Sequence, residues 1–593
     1  MRINFHKKHE LAWIFLFSVV LSFTFFGNGI SGDFVFDDVT VIQNRGDLKN
    51  PDNFFNLLVS PYHQNQPKTG LYRPFTMASY AVNHYISGSP AGFHIVNIII
   101  HALNSFLVFW LVNYLFKNKF LSYATFLLFL FHPIHTEAVT SIVGRAELWA
   151  FFWSLVAIYF FIKKNAWLSS ASFLFALFSK EIALMALPII FYISWISLKN
   201  GFLTTVRRTF VFAPAILVYA ALRYKALGAY FLGDAATTIV TNPLKFVSFT
   251  ERVLTAFKVL YLYAEKLIWP VRLSADYSYN SLSVISNPLN PFFLLGIGFL
   301  GLLLFFLFSN KTALGFGSIL FLAPYLMISN LVIPVGTIMG ERLMYFPSFG
   351  FVLLTSYCLF KFADKIGRKS AYAFLILMAV FYSVRTIIRN NDWRDAKTLF
   401  SATVKVSPNS LITRAALAAV YIKTDEWDKA KEQLNIALSI HENNSRVQNL
   451  LGIVADHDGK YGLAEEKYLR SLELNPNAVN AQINLAELYA KQGRLQEAGV
   501  YFKKVIDFYP VTEYVIRYAY TQIALNNPDE AINTVGYYLG DDLNHPDISA
   551  LAGTAYFVKG DYKMALFYLK RAVELGNTAP EIIEMLQISK RNP

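Results

Sequence analysis

Long apolar runs separated by short polar loops fill the chain up to about Arg389. About 20 consecutive apolar residues are enough for a helix to cross a bilayer. The pattern predicts eleven such spans, several of them short, at residues 11–30, 94–116, 120–138, 147–163, 166–180, 182–198, 209–226, 291–309, 312–334, 345–361 and 371–389. A further apolar stretch at 252–270 carries Lys258, Glu265 and Lys266. These charges favour a helix at the membrane interface over a twelfth span.

Basic residues concentrate in alternate loops between the predicted spans, and these loops include Lys117, Lys119, Lys163, Lys164, Arg207, Arg208 and Arg368. Because cytoplasmic loops are enriched in Lys and Arg, they share one cytoplasmic side with the basic N-terminus. With eleven spans, everything after Arg389 lies on the opposite side. No small-x-small cleavage site follows the first run, so we expect it to be retained as a span.

From about residue 395 the pattern becomes polar, helical and periodic. Buried-type alanines recur every 33 or 34 residues, and small residues precede them by about 12, as at Gly452 before Ala464 and Ala486 before Ala498. Prolines keep the same step, from Pro476 to Pro510. This is the pattern of tetratricopeptide repeats, in which two helices cross at small residues. It predicts about five repeats.

The composition agrees with a protein that is solvated mostly by lipid. The chain has 593 residues, of which 55% are hydrophobic and only 16% charged, with a net charge of +13. Soluble domains carry about 25% charged residues. No Lys/Arg-rich tract is present, so we expect no nucleic-acid partner. Cys358 is the one cysteine, which excludes a disulfide within the chain.

These observations predict an all-α chain with two domains. Residues 1–390 would form a polytopic transmembrane helix bundle, and residues 391–593 a tetratricopeptide α-solenoid on the non-cytoplasmic side. Stacked repeats make a concave groove that usually takes an extended peptide or a partner helix. The alternative is a solenoid that only supports or oligomerises the membrane half.

An acidic pair, Asp37 and Asp38, follows the first span on the non-cytoplasmic side. An acidic pair in a loop is often merely solvated, so other residues must decide its meaning. Ionisable groups at the mouth of a membrane bundle tend to be functional. The remaining candidates for that mouth are Arg73, His135, Glu137, Arg145, Lys180, Glu341 and Arg342.

Each of these candidates also has a structural interpretation. Lys180 with Glu181, and Glu341 with Arg342, could be ion pairs that satisfy only themselves. His132, His135 and Glu137 suggest a metal site, but Pro133 disturbs helical alignment and the spacing matches no strong zinc pattern. We therefore expect no metal, with a divalent ion left as an alternative, and expect His135, Glu137 and Arg145 to line the rim of a polar pocket.

A carboxylate pair surrounded by cations in a membrane favours a reaction with an anionic leaving group. A lipid phosphate fits, since Arg73, Arg145, Lys180 and Arg342 could hold it as a sugar departs. A phosphate leaves without protonation, so no general acid is needed. One carboxylate could act as base on an incoming hydroxyl, and attack from the opposite face would invert the anomeric centre.

The ordered motifs "FVFDDVTVIQN", "YRPFTMASYAVNHYISG", "FHPIHTEAVTSIVGRAELWA", "SKEIALMALP", "IWPVRLSADYSY" and "GERLMYFPSFGF", followed by repeats, resemble the transmembrane and tetratricopeptide repeat-containing O-mannosyltransferases. The resemblance implies a C-type glycosyltransferase that moves a sugar, with mannose expected, from a polyprenyl-phosphate donor to protein hydroxyls. It also implies that Asp37 is the base and that Asp38 positions acceptor or substrate. No further cofactor is implied.

Eukaryotic members of that family usually carry longer repeat arrays, which points to a bacterial relative in the inner membrane. The donor lipid would then be undecaprenyl phosphate, and mannose is not assured. Two alternatives remain. One is a non-catalytic membrane scaffold whose repeats recruit envelope or secretory partners. The other is sugar transfer to a lipid or glycan acceptor.

Overall fold

A computed structural model describes residues 5–64, 67–233, 236–309, 313–539 and 545–592. Within these ranges the regular elements are helices, and no strand occurs. The predicted all-α class is confirmed. The chain divides into two compact units, residues 1–417 and residues 418–593.

The first unit is built from helices of very different lengths. They are α1 (Phe5–Phe26), α2 (Phe54–Leu57), α3 (Pro74–Ile86), α4 (Pro90–Phe116), α5 (Lys119–Phe131), α6 (Thr136–Val139), α7 (Arg145–Ile162), α8 (Ala166–Ser179), α9 (Ala186–Tyr192), α10 (Phe202–Thr209), α11 (Ala213–Leu227), α12 (Phe249–Ile268), α13 (Pro291–Ser309), α14 (Ala313–Ile328), α15 (Tyr345–Ile366), α16 (Arg368–Asp392) and α17 (Ala396–Val406). The boundary between the two units falls inside the next helix, α18 (Leu411–Lys423).

Seven predicted spans coincide with helices that are long and apolar enough to cross a membrane, at His9–Gly29, Pro90–Phe116, Ile142–Ile162, Phe202–Tyr230, Pro291–Phe308, Glu341–Lys365 and Arg368–Asp392. The other four coincide with shorter apolar helices, at Lys119–Phe131, Ala166–Ser179, Glu181–Ser197 and Ala313–Ile328. Residue 312, where one predicted span begins, lies outside the described residues. The chain is a multi-pass membrane protein.

The doubtful stretch at 252–270 forms α12, which is not among the candidate spans. Its lysine side chains donate hydrogen bonds to the loop that follows the helix. Lys258 Nζ donates to the carbonyl of Ser283 at 2.8 Å, and Lys266 Nζ donates to the carbonyl of Arg272 at 3.0 Å.

Two helical hairpins turn at basic loops by the same device. Lys117 and Lys164 adopt left-handed backbone at φ 52° and 60°. The asparagine that follows each lysine caps the next helix: Asn118 accepts from Leu121 N–H at 3.0 Å, and Asn165 accepts from Leu168 N–H at 3.1 Å. A short polar side chain at such a position satisfies a backbone donor that the helix leaves free.

Polar side chains fasten the central helix α4 to its neighbours. The Asn97 amide donates to the carbonyls of Val139, Ser141 and Ile142 at 3.2 to 3.3 Å. His101 Nδ1 lies 2.8 Å from the Tyr345 hydroxyl at the start of α15. Buried polar groups with partners fix geometry that apolar packing alone leaves adjustable. The Asn97 bonds hold the turn between α6 and α7, whose backbone meets Asp38 as described below.

The end of α16 and the segment after it belong with the first unit. Leu411 N–H donates to the carbonyl of Tyr279 at 2.9 Å, and the hydroxyls of Ser407 and Ser274 lie 2.8 Å apart. The predicted boundary at residues 390 and 391 followed the change in composition. The compact units instead divide at 417 and 418, because these contacts tie residues 393–417 to the preceding loops.

The second unit is a series of paired helices. They are α19 (Trp427–Ile440), α20 (Ser445–His457), α21 (Tyr461–Leu474), α22 (Val479–Lys491), α23 (Leu495–Phe508), α24 (Thr512–Ala524), α25 (Pro528–Leu539), α26 (Pro546–Lys559), α27 (Tyr562–Glu574) and α28 (Pro580–Arg591). Small residues allow close crossings. A Cβ on Gly452 would lie 2.4 Å from Tyr468 Cε1, and one on Gly553 would lie 2.7 Å from Leu569 Cγ.

Candidate functional site

The two neighbouring carboxylates after α1 lie in opposite environments. Asp38 is fully buried, and its carboxylate accepts from the backbone N–H groups of Val143 at 2.8 Å, Val35 at 3.3 Å and Ile142 at 3.4 Å. The Asp37 side chain keeps 38% of its surface exposed. Only Asp37 is therefore accessible to another molecule.

Burial raises the pKa of Asp38 to about 7, although the three backbone donors oppose that rise and the Asp37 charge adds to it. Removing a carboxylate from water disfavours its charged form. Asp38 fastens the loop after α1 to the start of the Ile142–Ile162 span. On this geometry it positions that loop and does not contact an acceptor or substrate.

Arg342 joins Asp37 to a second carboxylate. Its Nη1 donates to Asp37 Oδ2 at 3.0 Å, and its Nε lies 3.5 Å from Glu137 Oε1. The backbone N–H of Arg342 also donates to Glu137 Oε2 at 2.9 Å. Glu137 is buried. The Arg342 guanidinium thus orients the exposed Asp37 carboxylate, and the buried Glu137 holds Arg342 in place.

Two further ion pairs lie near this one. Lys180 pairs with Glu147, and Arg73 pairs with Glu181 at 3.2 Å. Lys180 is within electrostatic range of both Arg73 and Arg342. We name the whole group the outer charge cluster. Its members are Asp37, Glu137, Arg342, Lys180, Glu147, Arg73, Glu181 and Arg223.

The outer charge cluster contains three of the four predicted cations, and each is paired with a carboxylate. The structural interpretation of Lys180 and Glu181 as a mutual pair does not hold, because each has a different partner. Arg223 was not predicted from the sequence. It lies 3.5 Å from Glu181 and donates to the carbonyl of Gly70 at 2.7 Å.

Aromatic residues of the loop before α3 adjoin the cluster. The Arg73 guanidinium lies 4.9 Å from the centre of the Tyr62 ring. His63 is within electrostatic range of Arg73, Asp37 and Arg342, and its burial, with help from Arg73, lowers its pKa to about 4. His63 is therefore neutral at physiological pH. Tyr62 and His63 were not predicted from the sequence, since neither falls in a recognisable motif.

The expectation that Arg145 lines the rim of a pocket is wrong, because its side chain is fully buried. It donates to the Asn97 and Asn83 side chains at 2.8 Å each and to the carbonyls of Ser79 and Phe93. These bonds tie α3 to α4. Arg145 is thus a structural residue of the bundle.

His135 is likewise inside the bundle and not at a rim. Its Nε2 lies 2.7 Å from the Ser348 hydroxyl, and its ring packs against Phe129 and Tyr345. His132 Nε2 lies 3.0 Å from the carbonyl of Leu267. Among the described residues, no group of three or more His, Cys, Asp or Glu side chains is arranged to hold a metal.

Glu341 points away from Arg342 into a second buried network. Its carboxylate accepts from the Tyr277 hydroxyl at 2.6 Å and from Ser274 N–H, and it lies 3.8 Å from Arg389. Tyr277 belongs to the "SADYSY" motif, which the sequence analysis identified without predicting that Glu341 is its partner. Glu341 anchors the loop after α12 beside the residue that holds Asp37.

Comparisons with known proteins match both halves of the chain. Two family models described as tetratricopeptide repeat match residues 388–453 and 450–511. The chain is 27% identical to protein O-mannosyl-transferase TMTC3 of Mus musculus over 547 residues, which covers 82% of this chain and 59% of that protein. It is 28% identical to protein O-mannosyl-transferase F38B6.6 of Caenorhabditis elegans, covering 64% of this chain and 56% of that protein.

A solved tetratricopeptide repeat protein, YrrB, described as having an unusual peptide-binding site, is 17% identical with a TM-score of 0.29. The match covers 33% of this chain and all of that one. The chain spans about three fifths of the length of the mouse relative. The resemblance inferred from the ordered motifs and the assignment of tetratricopeptide repeats are confirmed.

Proposed function

We propose that this chain is a membrane glycosyltransferase that uses a polyprenyl-phosphate-linked sugar, with mannose expected. The acceptors would be Ser and Thr hydroxyls of proteins on the non-cytoplasmic face of a bacterial inner membrane. The activity named for the relatives, the ordered motifs and the outer charge cluster support this proposal.

One observation carries the proposal: the exposed carboxylate of Asp37 is held by Arg342 at the end of the first span. A general base must be ionised and must reach the hydroxyl whose proton it takes. Asp38 cannot reach an acceptor hydroxyl, because it is buried and its oxygens already accept backbone bonds. Asp37 is therefore the base in the proposed reaction.

In the proposed reaction Asp37 takes the proton of the acceptor hydroxyl as the oxygen attacks the anomeric carbon. The bond between that carbon and the phosphate oxygen breaks, and polyprenyl phosphate leaves with the bonding electrons. Attack opposite the leaving group inverts the anomeric configuration. Arg73, Lys180 and Arg342 would balance the phosphate charge. The chemistry requires no resident cofactor.

We further propose that the acceptor is a protein, because the second unit consists of tetratricopeptide repeats, and such repeats commonly bind extended polypeptide. Transfer to a lipid or glycan would leave that surface without a substrate role. A scaffold without activity would leave the pairing of Asp37 with Arg342 unexplained.

The test is transfer by the purified full-length chain in detergent. Polyprenyl-phosphate-mannose with a radiolabelled sugar is offered together with a mixture of Ser/Thr-containing peptides and, separately, with membrane lipid extract. We expect the label in the peptide fraction. We also expect NMR to show that the anomeric configuration of the transferred sugar is inverted. Label confined to the lipid fraction supports sugar transfer to a lipid or glycan acceptor. No transfer with any of several sugar donors, in a preparation that still unfolds cooperatively, supports the scaffold.

A further inference from the structure

An apolar groove runs along the membrane-spanning part of the first unit between α1, α5 and α16. Its volume is about 660 Å³. Its wall includes Phe17 and Leu21 of α1, Leu127 of α5, and Val380 and Val384 of α16. The two valines are 54% and 50% exposed, so the groove is open to the surrounding bilayer on the α16 side.

The groove has a charged end. Lys119, the first residue of α5, is part of the wall, and its ammonium group pairs with Glu10 of α1. The side chains of Lys119 and Glu10 are 54% and 36% exposed. Helix α16 also begins at this end, with Arg368 and Lys369. The opposite end of the groove, at Phe25, Phe131 and Ile387, is apolar.

The charged end and the outer charge cluster lie at opposite ends of α1. Glu10 is near the beginning of α1, while Asp37 follows its end. At 1.5 Å per residue, the 22 residues of α1 extend about 33 Å, which is roughly the thickness of the hydrocarbon core. A lipid with its phosphate at Lys119 therefore cannot place that phosphate at Asp37.

We propose that this groove is a binding site for one membrane phospholipid with an anionic head group. One acyl chain would lie between α1, α5 and α16, and the phosphate would meet Lys119 in the membrane leaflet opposite the outer charge cluster. The wall of α16 from Tyr372 to Ile387 is about 22 Å long, enough for most of an acyl chain. The walls supply apolar contact, and Lys119 supplies the charge.

The ion pair with Glu10 sharpens the expectation for the head group. A carboxylate on Lys119 competes with a lipid phosphate for the same ammonium group. Removing the Glu10 charge should strengthen binding of an anionic lipid, whereas removing the Lys119 charge should weaken it. A groove that is simply coated by bulk lipid predicts no effect of either change.

The test is native mass spectrometry of the purified full-length chain after titration with phosphatidylglycerol or phosphatidylcholine carrying identical acyl chains. The double variant Val380→Trp/Val384→Trp fills the groove. Leu377→Trp adds the same ring to α16 at a 65% exposed position outside the groove wall, as a matched control. We expect the double variant to lose roughly tenfold in lipid affinity, and the control to match the wild type.

The head-group arm uses Lys119→Gln and Glu10→Gln with the same two lipids. We expect Lys119→Gln to abolish the preference for phosphatidylglycerol and Glu10→Gln to increase it. The proposal is overturned if Leu377→Trp weakens binding as much as the double variant. It is equally overturned if both lipids bind alike in the wild type, or if a polyprenyl phosphate displaces phosphatidylglycerol from the groove.

Discussion

At the scale of single residues, the adjacent aspartates Asp37 and Asp38 have different roles. Phe36, directly before the acidic pair, adopts a left-handed backbone at φ 54°. Asp38 then faces the backbone of the Ile142–Val143 turn, and Asp37 faces Arg342. Neither role can be exchanged, because one side chain is buried and the other is exposed.

The buried environment of Asp38 makes a pH-dependent prediction. Its folded pKa, about 7, lies above the reference value of 3.8, so the folded state holds the proton more tightly. Its stabilising contribution is complete below pH 3.8 and is lost as the pH rises through 7, by roughly 1.4 kcal/mol per pH unit at most. We expect the melting-temperature advantage of wild type over Asp38→Asn to shrink between pH 4.5 and pH 8.

Thermal unfolding of both proteins in one detergent checks this expectation, and only the difference between them is interpreted, so other titrating groups cancel. We also expect Asp38→Asn to be less stable at pH 4.5 by about 1–3 kcal/mol, because the amide NH2 cannot accept a backbone N–H, whereas both oxygens of a protonated carboxyl keep acceptor capacity. A difference that is constant across the pH range would show that Asp38 does not titrate as described.

Arg342 is predicted to need its planar guanidinium. Its Nη1 and Nε reach Asp37 and Glu137 separately, whereas a lysine ammonium is a single point of charge. We expect Arg342→Lys to slow transfer roughly a hundredfold, since misplacement of a reacting group by about 1 Å can cost that much. Arg385→Lys, outside the outer charge cluster, should retain activity. Equal rates for both variants would remove Arg342 from the site.

At the scale of elements, short polar contacts decide where helices meet. Two adjacent side chains fix the loop after α12: Tyr277 bonds to Glu341, while the Asp276 carboxylate accepts from the hydroxyls of Ser278 and Ser410 at 2.5 Å each. In the repeats, close crossings depend instead on the absence of a side chain. Two glycines of α20 and α21 separate this packing effect from helix propensity.

Gly452→Ala should destabilise the repeats and Gly462→Ala should not. A Cβ at Gly452 meets the Tyr468 ring at 2.4 Å, whereas a Cβ at Gly462 meets nothing within 4 Å. We expect a loss of about 1–3 kcal/mol for Gly452→Ala, and a gain of up to about 1 kcal/mol for Gly462→Ala. Hydrogen exchange of α20 to α23 in the full-length chain measures both. Equal protection in the two variants would contradict the crossing.

The sequence predicted elements better than it predicted partners. Apolar run length located the spans, and the 34-residue period located the repeats, because both depend on local pattern. Arg145 and Arg342 look alike in sequence, yet one is buried among asparagines and carbonyls and the other contacts Asp37. Which arginine reaches Asp37 depends on the packing of α3, α4 and α15, which no single stretch encodes. Arg223 and Arg389 were missed for the same reason.

At the scale of the whole molecule, the account depends on the side of the membrane that each segment faces. The proposed base follows the first span, and the positive loops predict that the repeats lie on that same side. The four shorter apolar helices decide this parity, because omitting an odd number of them would move the second unit to the cytoplasm.

Cysteine labelling tests the parity. In a Cys358→Ser background the chain has no other cysteine, so single cysteines report cleanly. We expect Asp52→Cys and Thr578→Cys to react with an impermeant maleimide in spheroplasts, and Lys117→Cys to react only after permeabilisation. All three positions are exposed in the structure. Labelling of Thr578→Cys only after permeabilisation would place the repeats inside.

The central claim is that the exposed carboxylate at the end of the first span performs the chemistry. The most direct measurement compares the sugar-transfer rates of wild type, Asp37→Asn and Asp52→Asn, once their melting temperatures are shown to be equal. Asp52 serves as the control because it is an exposed carboxylate outside the outer charge cluster. We predict that Asp37→Asn slows transfer by at least about a hundredfold, as expected for loss of a general base, while Asp52→Asn stays near wild type. A rate for Asp37→Asn within twofold of wild type would contradict the account.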